Sequence, residues 1–237
     1  MDMETILTRG FQVMGLEPGA DAVQKLCRYS QLLLEQNQVM NLTAIRDTEG
    51  VARLHMLDCA ALLNYADFAG KRLVDVGTGA GFPGMPLKIL VPSLDVTLLD
   101  SLNKRLDWLD EVCGALSLTG VRTVHARAEE QARAEGFRES FDFATARAVA
   151  ELRMLSELCL PYVKVGGAFL AMKSVDSDGE LAEAEKAIRT LGGEVEAIRD
   201  YPIPGTDITH RLIVIRKIAP SPAKYPRPFA KIKKAPL

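Results

Sequence analysis

The spacing of hydrophobic and polar residues changes near residue 70 of this chain. Before that point, apolar residues recur at the spacing of amphipathic helices. The predicted helices cover roughly 3–14, 21–36 and a segment that begins at Asp47 or Thr48, either of which can cap a helix, and reaches Asn64. After residue 70, short apolar runs alternate with helical patterns, which indicates a mostly parallel sheet covered on both faces.

This second part of the chain predicts a doubly wound, Rossmann-like α/β sheet. Strands are predicted near 72–76, 95–99, 121–125, 141–145 and 166–173. Helices are predicted near 84–91, 103–116, 127–135, 150–163 and 177–192. The last two strands, Glu194–Tyr201 and Arg211–Lys217, flank a Pro-Ile-Pro-Gly turn and predict a closing antiparallel hairpin. The chain therefore divides into a helical cap (1–68), a sheet core (69–218) and a tail (219–237).

Composition is that of an ordinary globular protein, with 48% hydrophobic and 25% charged residues among 237. No apolar run reaches membrane-spanning length, and the amino terminus is acidic rather than a secretory signal, so we expect a cytoplasmic protein without a membrane. The four cysteines are scattered and never spaced as C-x-x-C, which favours reduced thiols and no metal site.

The net charge of −2 hides an uneven distribution. From Arg211 to Leu237 there are eight basic residues and no acid, while the first 210 residues hold 21 bases and 31 acids. A basic end on an acidic body suggests contact with a polyanion, and a solvated, disordered terminus is the alternative. Tyr225 and Phe229 add aromatic faces that can stack on bases, and four prolines predict an extended rather than helical tail.

The most informative motif is a glycine-rich loop that follows the first predicted strand. Gly77, Gly79 and Gly81 alternate in it, so a ligand can approach the backbone closely. Such a loop predicts a nucleotide-type cofactor, and its G-x-G-x-x-G spelling alone also fits NAD. Asp75 before the glycines and a second acid, Asp100, at the end of the next strand resemble the pattern of S-adenosylmethionine (SAM) methyltransferases. A P-loop is excluded because no G-K-[ST] follows.

Several short motifs together resemble one family, the bacterial 16S ribosomal RNA guanine-N7 methyltransferases, also called glucose-inhibited division protein B. The motifs are Asn41–Thr43, Arg53–Asp58, Asp75–Leu87, Leu98–Ser101, Lys104–Arg105 and Ala146–Ala148. The resemblance implies a class I SAM-dependent methyltransferase fold with a helical cap and SAM as cofactor. It implies that the cofactor is bound by the glycine loop and by residues after three other strands: Asp75, Gly77, Gly79, Gly81, Phe82, Asp100, Ala128, Glu129 and Arg147.

On the substrate side, the resemblance implies a guanine in the decoding-region (530) loop of 16S ribosomal RNA. The partner is then the 16S RNA or the 30S subunit, and we expect a monomer. Candidate substrate-binding residues are His55, Lys104, Arg105, Arg147, Lys173 and Arg227. Guanine N7 has a free lone pair and carries no proton, so no catalytic base is predicted. For Phe82, Arg147 and His55, a purely structural role stays open beside the functional one.

Three other functions are weighed against this one. A small-molecule SAM methyltransferase would share every cofactor feature but would not need the basic tail. An NAD-dependent oxidoreductase is disfavoured by Asp75 and by the lack of a Tyr-x-x-x-Lys pair. A non-catalytic RNA-binding module is disfavoured because the glycine loop and Asp100 are intact.

Overall fold

A computed structural model describes residues 2–147 and 150–237; Met1, Ala148 (the last residue of the Ala146–Ala148 motif) and Val149 lie outside the described residues. Its centre is a seven-stranded sheet of order β3-β2-β1-β4-β5-β7-β6. The strands are β1 Arg72–Val76, β2 Asp95–Asp100, β3 Val121–His125, β4 Phe141–Arg147, β5 Val163–Ser174, β6 Gly193–Pro202 and β7 Thr209–Lys217. Strands β1 to β5 pair in parallel, while β7 is antiparallel to β5 and β6, as predicted.

Helices cover both faces of the sheet, and most lie where the periodicity places them. They are α1 Met3–Met14, α2 Ala20–Gln36, α3 Thr48–Val51, α4 Asp58–Ala60, α5 Gly84–Leu90, α6 Asn103–Ala115, α7 Ala128–Gln131, α8 Leu152–Cys159, α9 Asp178–Thr190 and α10 Phe229–Lys234. Each helix of the described residues is too short or too polar to cross a membrane.

The third predicted helix is continuous but changes its geometry. Asp47 caps it by accepting a hydrogen bond from Gly50 N. Between α3 and α4 the chain forms a π-helical segment, Ala52–Leu57, and a 3₁₀ turn, Ala61–Asn64, ends the run. Apolar periodicity predicts the helix but not its π-helical segment, and such segments are frequent at functional sites.

The cap and one face of the sheet share a single apolar core. Leu7 and Leu26 of the cap belong to the same buried cluster as Leu73 of β1 and Trp108 of α6. The cap is therefore fixed against the sheet by buried apolar contacts rather than attached through a flexible linker. The cap–core boundary at residue 68 stays an interpretation of the sequence.

Two helix predictions are too long. The helix predicted over 127–135 ends at Gln131, because Arg133 N and Ala134 N bond to carbonyls three residues back and the chain tightens into turns. The helix predicted over 150–163 is shorter: α8 ends at Cys159, and a 3₁₀ turn containing Pro161 leads into β5. Proline cannot supply the N–H that a continuing α-helix needs.

The prediction of a wholly extended tail is wrong, because the tail ends in the short helix α10. We call residues 219–234 the strap. Its prolines keep the first part free of helix and strand, and helix forms only after Pro228, the last proline before Pro236. Arg133 donates to the carbonyls of Lys224 and Pro226, and Arg138 donates to that of Tyr225. These arginines satisfy backbone oxygens that have no strand partner.

Candidate active site

A cavity of about 740 Å³ opens at the carboxyl ends of β1 and β4, where the strand order reverses. Its size is within the range of small-molecule sites, and this edge is where doubly wound sheets bind their ligands. Its walls come from the glycine loop, the turns after β2 and β3, the cap, β7 and the strap. The cavity thus has two ends, one beside β2 and β3 and one beside the cap.

The acid of the glycine loop lies beneath the cavity rather than in its wall. Asp75 is wholly buried and accepts hydrogen bonds from Thr78 Oγ1 (2.7 Å), Gly84 N (3.0 Å) and Thr145 Oγ1 (3.3 Å). Burial raises the pKa of Asp75 to about 6 in spite of these bonds. Asp75 holds the loop in shape and does not line the cavity, and its contact with the cofactor stays a prediction.

The contact of Gly81 with the cofactor likewise stays a prediction, and the structure shows a packing role for this residue. It has a left-handed backbone (φ 88°), and a Cβ there would lie 2.6 Å from both Met85 Cγ and Tyr29 Oη. Tyr29 also donates a hydrogen bond to the carbonyl of Ala80. Gly81 is therefore small so that cap and loop can pack, whereas Gly77 and Gly79 line the cavity as predicted.

Asp100 lies in the cavity wall at the end of β2. Its carboxylate accepts hydrogen bonds from Gly79 N and Leu102 N, both at 2.9 Å, and Arg105 Nη1 is 3.5 Å away. A carboxylate has about four acceptor sites, so at least one remains on Asp100 for a ribose hydroxyl. The residues at this end therefore fit the sugar of SAM.

The turn after β3 forms the far wall at the same end. Ala128 and Glu129 line it as predicted, together with Leu158 of α8 and Phe229 of the strap. Apolar side chains beside one acceptor carboxylate, Glu129, fit a purine that carries an amine. Leu158 and Phe229 carry no sequence signal for this wall, because both come from distant parts of the chain.

Two aromatic rings stack at the cap end. The ring centroids of Phe82 and His55 are 4.4 Å apart at 23°, and Arg147 Cζ lies 4.9 Å from the Phe82 centroid. All three residues line the cavity, and Phe82 also belongs to the apolar core. Phe82 therefore contacts both the apolar core and the cavity, so a structural role and a functional role are compatible for this side chain.

The carboxylate of Asp58 connects three parts of the fold. It is wholly buried and accepts from Arg147 Nη1 (2.9 Å), Tyr201 Oη (2.9 Å) and His210 Nδ1 (2.8 Å). Burial raises the pKa of Asp58, but the His210 hydrogen bond and the Arg147 charge outweigh it and leave the pKa below its usual range. Arg147, which was expected to meet SAM or RNA, is thus also a structural partner.

His55 is neutral. Burial and the Arg147 charge lower its pKa to about 4. Arg147 Nη2 can only donate and lies 3.0 Å from His55 Nδ1, so we assign Nδ1 as the acceptor and Nε2 as the donor to Thr43 Oγ1 (2.8 Å). The hydrogen-bond partners of the two ring nitrogens thus fix the tautomer of His55.

The predicted cationic contacts separate into two groups. Arg105 lines the cavity and Lys104 beside it is exposed. Lys173 instead pairs with Glu180 at 2.6 Å, and Arg227 pairs with Glu157 at 2.6 Å. Because Glu157 is wholly buried, its charge requires that partner. Lys173 and Arg227 therefore have structural partners, and their contact with substrate stays a prediction.

Fewer basic residues at the end of the chain are free to bind a polyanion than its composition suggests. Four of its eight basic residues have acidic partners elsewhere in the fold: Arg211, Arg216, Lys217 and Arg227. Lys231, Lys233 and Lys234 are exposed and have no acidic partner among residues 2–147 and 150–237. The described residues also contain no cluster of three or more His, Cys, Asp or Glu suited to a metal ion.

The sheet with its antiparallel last strand, the glycine loop and the acid after β2 together define a class I SAM-dependent methyltransferase. The family model for GidB, rRNA small subunit methyltransferase G, matches residues 22–205. Ribosomal RNA small subunit methyltransferase G of Alkaliphilus oremlandii is 46% identical over 100% of both chains. The protein of that name from Clostridium perfringens is 44% identical over 98% of both. The chain belongs to the rRNA small subunit methyltransferase G family, and its cofactor is SAM.

Solved structures agree at the level of the fold. TrmN from Thermus thermophilus aligns with a TM-score of 0.53 at 23% identity, over 68% of this chain and 48% of that one. M. jannaschii TYW2 in complex with AdoMet aligns with a TM-score of 0.54 at 12% identity, over 68% of this chain and 75% of that one. At these identities the likeness concerns the fold alone.

Gly81→Ala and Gly79→Ala form a matched pair that tests how the loop is built. Both glycines have positive φ, so either alanine costs about 1 kcal/mol of backbone strain. Only Gly81→Ala also collides with Tyr29 and Met85, so we expect it to lower the free energy of unfolding by about 3 kcal/mol in urea titrations. Equal losses in the two variants would contradict the packing role of Gly81.

Asp58→Asn tests the connection between cap and sheet. It leaves Arg147 buried without a counter-charge, so the free energy of unfolding should fall by about 3 kcal/mol. Tyr201→Phe removes only one hydrogen bond from the same carboxylate and should cost about 1 kcal/mol. Urea denaturation measures both, and a loss below that of Tyr201→Phe would refute the role assigned to Asp58.

Proposed function

We propose that this chain transfers the methyl group of SAM to N7 of a guanine in the 530 loop of 16S ribosomal RNA. The observation that carries the proposal is the two-ended cavity: one end fits a nucleoside, and the other presents a neutral imidazole and aromatic ring. The ribosomal substrate is supported by the family, and the guanine-N7 specificity by the motifs that resemble its members.

At the first end, Asp100 would hold the ribose, and Ala128, Glu129 and Gly77 would hold the rest of the nucleoside. When bound, SAM supplies a methyl group on a sulfonium, which makes that carbon electrophilic. The chain's own task is to hold the acceptor nitrogen in line with it, and orientation of this kind can supply several kcal/mol of the barrier.

At the cap end, the lining suits an unpaired base. Leu42, Ile45 and Ile208 provide apolar surface, and Phe82 and His55 provide rings. Because N7 carries no proton, a neutral His55 without a base function is compatible with the chemistry. The N7 edge of a paired guanine is hidden in the deep groove of A-form RNA, so the target base has to be in a loop or turned out.

Cations beside the nucleoside end of the cavity would meet RNA phosphates. The exposed Lys104 and the half-buried Arg105 follow β2, and the three exposed lysines of α10 lie on the strap. Contacts of this kind weaken steeply as salt rises. We further propose that the chain acts as a monomer in the cytoplasm on 16S RNA or the 30S subunit.

The proposed reaction predicts label in one ribosomal nucleotide. Purified protein with tritiated SAM and unmethylated 30S subunits or 16S RNA should label the RNA, and borohydride–aniline treatment, which cuts at N7-methylguanosine, should cleave it once, in the 530 loop. RNA that already carries the modification is the control. Labelled RNA that resists cleavage would refute N7 as the target, and cleavage at another guanine would refute the loop.

The absence of a catalytic base predicts a flat pH profile. Because the folded-state pKa of His55, about 4, lies below its unfolded value of 6.5, His55 weakens stability only as pH falls from 6.5 towards 4. At saturating substrates, kcat should therefore change less than about twofold between about pH 6.5 and pH 8.5. His55→Gln should keep that flat shape. A limb near neutral pH that disappears in His55→Gln would show that His55 transfers a proton.

A further inference from the structure

The strap contributes a side chain to the cavity. Phe229, the first residue of α10, lines the wall that Ala128, Glu129 and Leu158 also form. Arg127 Cζ lies 4.4 Å from the centroid of its ring, a cation–π contact that fixes the ring beside the turn after β3. The ring is therefore part of the nucleoside end of the cavity, although it comes from the last nine residues of the chain.

The position of Phe229 is set by its neighbours in the strap. Two residues before it, Arg227 donates from its backbone N (2.8 Å), Nε (2.9 Å) and Nη2 (2.6 Å) to the buried carboxylate of Glu157. Tyr225 precedes Phe229 and Ile232 follows it. Both are buried in a second apolar core, separate from the one that the cap shares with the sheet. Glu157 precedes Leu158, so one ion pair connects the strap to another residue of the same wall.

The chemistry of this wall suits a planar base. Alanine and leucine side chains and an aromatic ring offer apolar contact, while the Glu129 carboxylate is the acceptor at its edge. Aromatic rings bind bases through stacking and apolar contact, whichever base is present. The other basic or aromatic residues of the strap do not line the cavity.

We propose that Phe229 is a cofactor-binding residue that forms the outer wall of the adenine subsite, so that the strap closes over the bound cofactor. The inference rests on the proposed placement of the cofactor's nucleoside at this end. Binding is reciprocal: if the strap strengthens cofactor binding, the cofactor must stabilise the docked strap to the same extent. Lys231, Lys233 and Lys234 follow Phe229 directly, so cofactor binding would also steady these exposed cations.

The test compares three variants of the full chain by calorimetric titration with SAM. Phe229→Ala should weaken SAM binding about tenfold, and Phe229→Tyr, which keeps the ring, should stay within about twofold of wild type. Ile232→Ala is the matched control, because Ile232 is buried in the same helix but does not line the cavity. It should lower the melting temperature and weaken SAM binding less than Phe229→Ala does, because it loosens the strap but keeps the ring.

The outcomes separate the placement of the cofactor from the role of Phe229. Wild type that does not bind SAM would refute the placement of the cofactor itself. Wild type that binds while Phe229→Ala binds equally well would refute only the role of Phe229. Equal weakening by Phe229→Ala and Ile232→Ala would also refute it, because strap stability rather than ring contact would then explain the effect.

A second measurement covers the case in which a variant folds poorly. Amide hydrogen exchange of wild type should slow over residues 225–234 when SAM is added, as expected if the ligand stabilises the docked strap. The lysine-bearing turn of α10 should slow with the rest. Unchanged exchange in the strap, beside slower exchange in the loop at residues 77–82, would refute the coupling.

Discussion

The buried carboxylate of Asp58 is the interaction on which the rest of this structure depends. It accepts from Arg147 at the end of β4, from Tyr201 on β6 and from His210 on β7, while Asp58 itself follows the π-helical segment of the cap. Moving a carboxylate out of water is costly, and the cost is met only while these partners are present. Its burial therefore requires the cap, the central strand and the hairpin to meet at one point, the cap end of the cavity.

A second buried carboxylate, that of Asp75, has a different structural role. It has hydrogen-bond donors but no ion pair as direct as that of Asp58, so burial raises its pKa to about 6 where the pKa of Asp58 is lowered. Asp75 fixes the backbone of the glycine loop from below, and Asp58 fixes the cap beside it. The cavity wall between them, with Phe82 and His55 stacked, follows from both.

Local patterns predicted the strands, the glycine loop and Asp100 at the end of the second strand, because each depends on neighbours in the sequence. The family resemblance added Ala128 and Glu129 after β3. Other partners of the site residues are distant in the sequence: Arg227 is 70 residues from Glu157, and His210 is 152 residues from Asp58. No spacing rule encodes such pairs, since tertiary packing creates them. The inward direction of Asp75 and the contact of Gly81 with Tyr29 were hidden for the same reason.

The most direct test of the account is a crystal structure of this chain with S-adenosylhomocysteine, the product form of the cofactor. We expect the ribose hydroxyls on the Asp100 carboxylate, the adenine beside Ala128, Glu129 and Phe229, and the sulfur directed towards the end of the cavity that holds His55. A ligand bound in the reverse direction, or with its ribose away from Asp100, would contradict the assignment of the two ends and the chemistry derived from it.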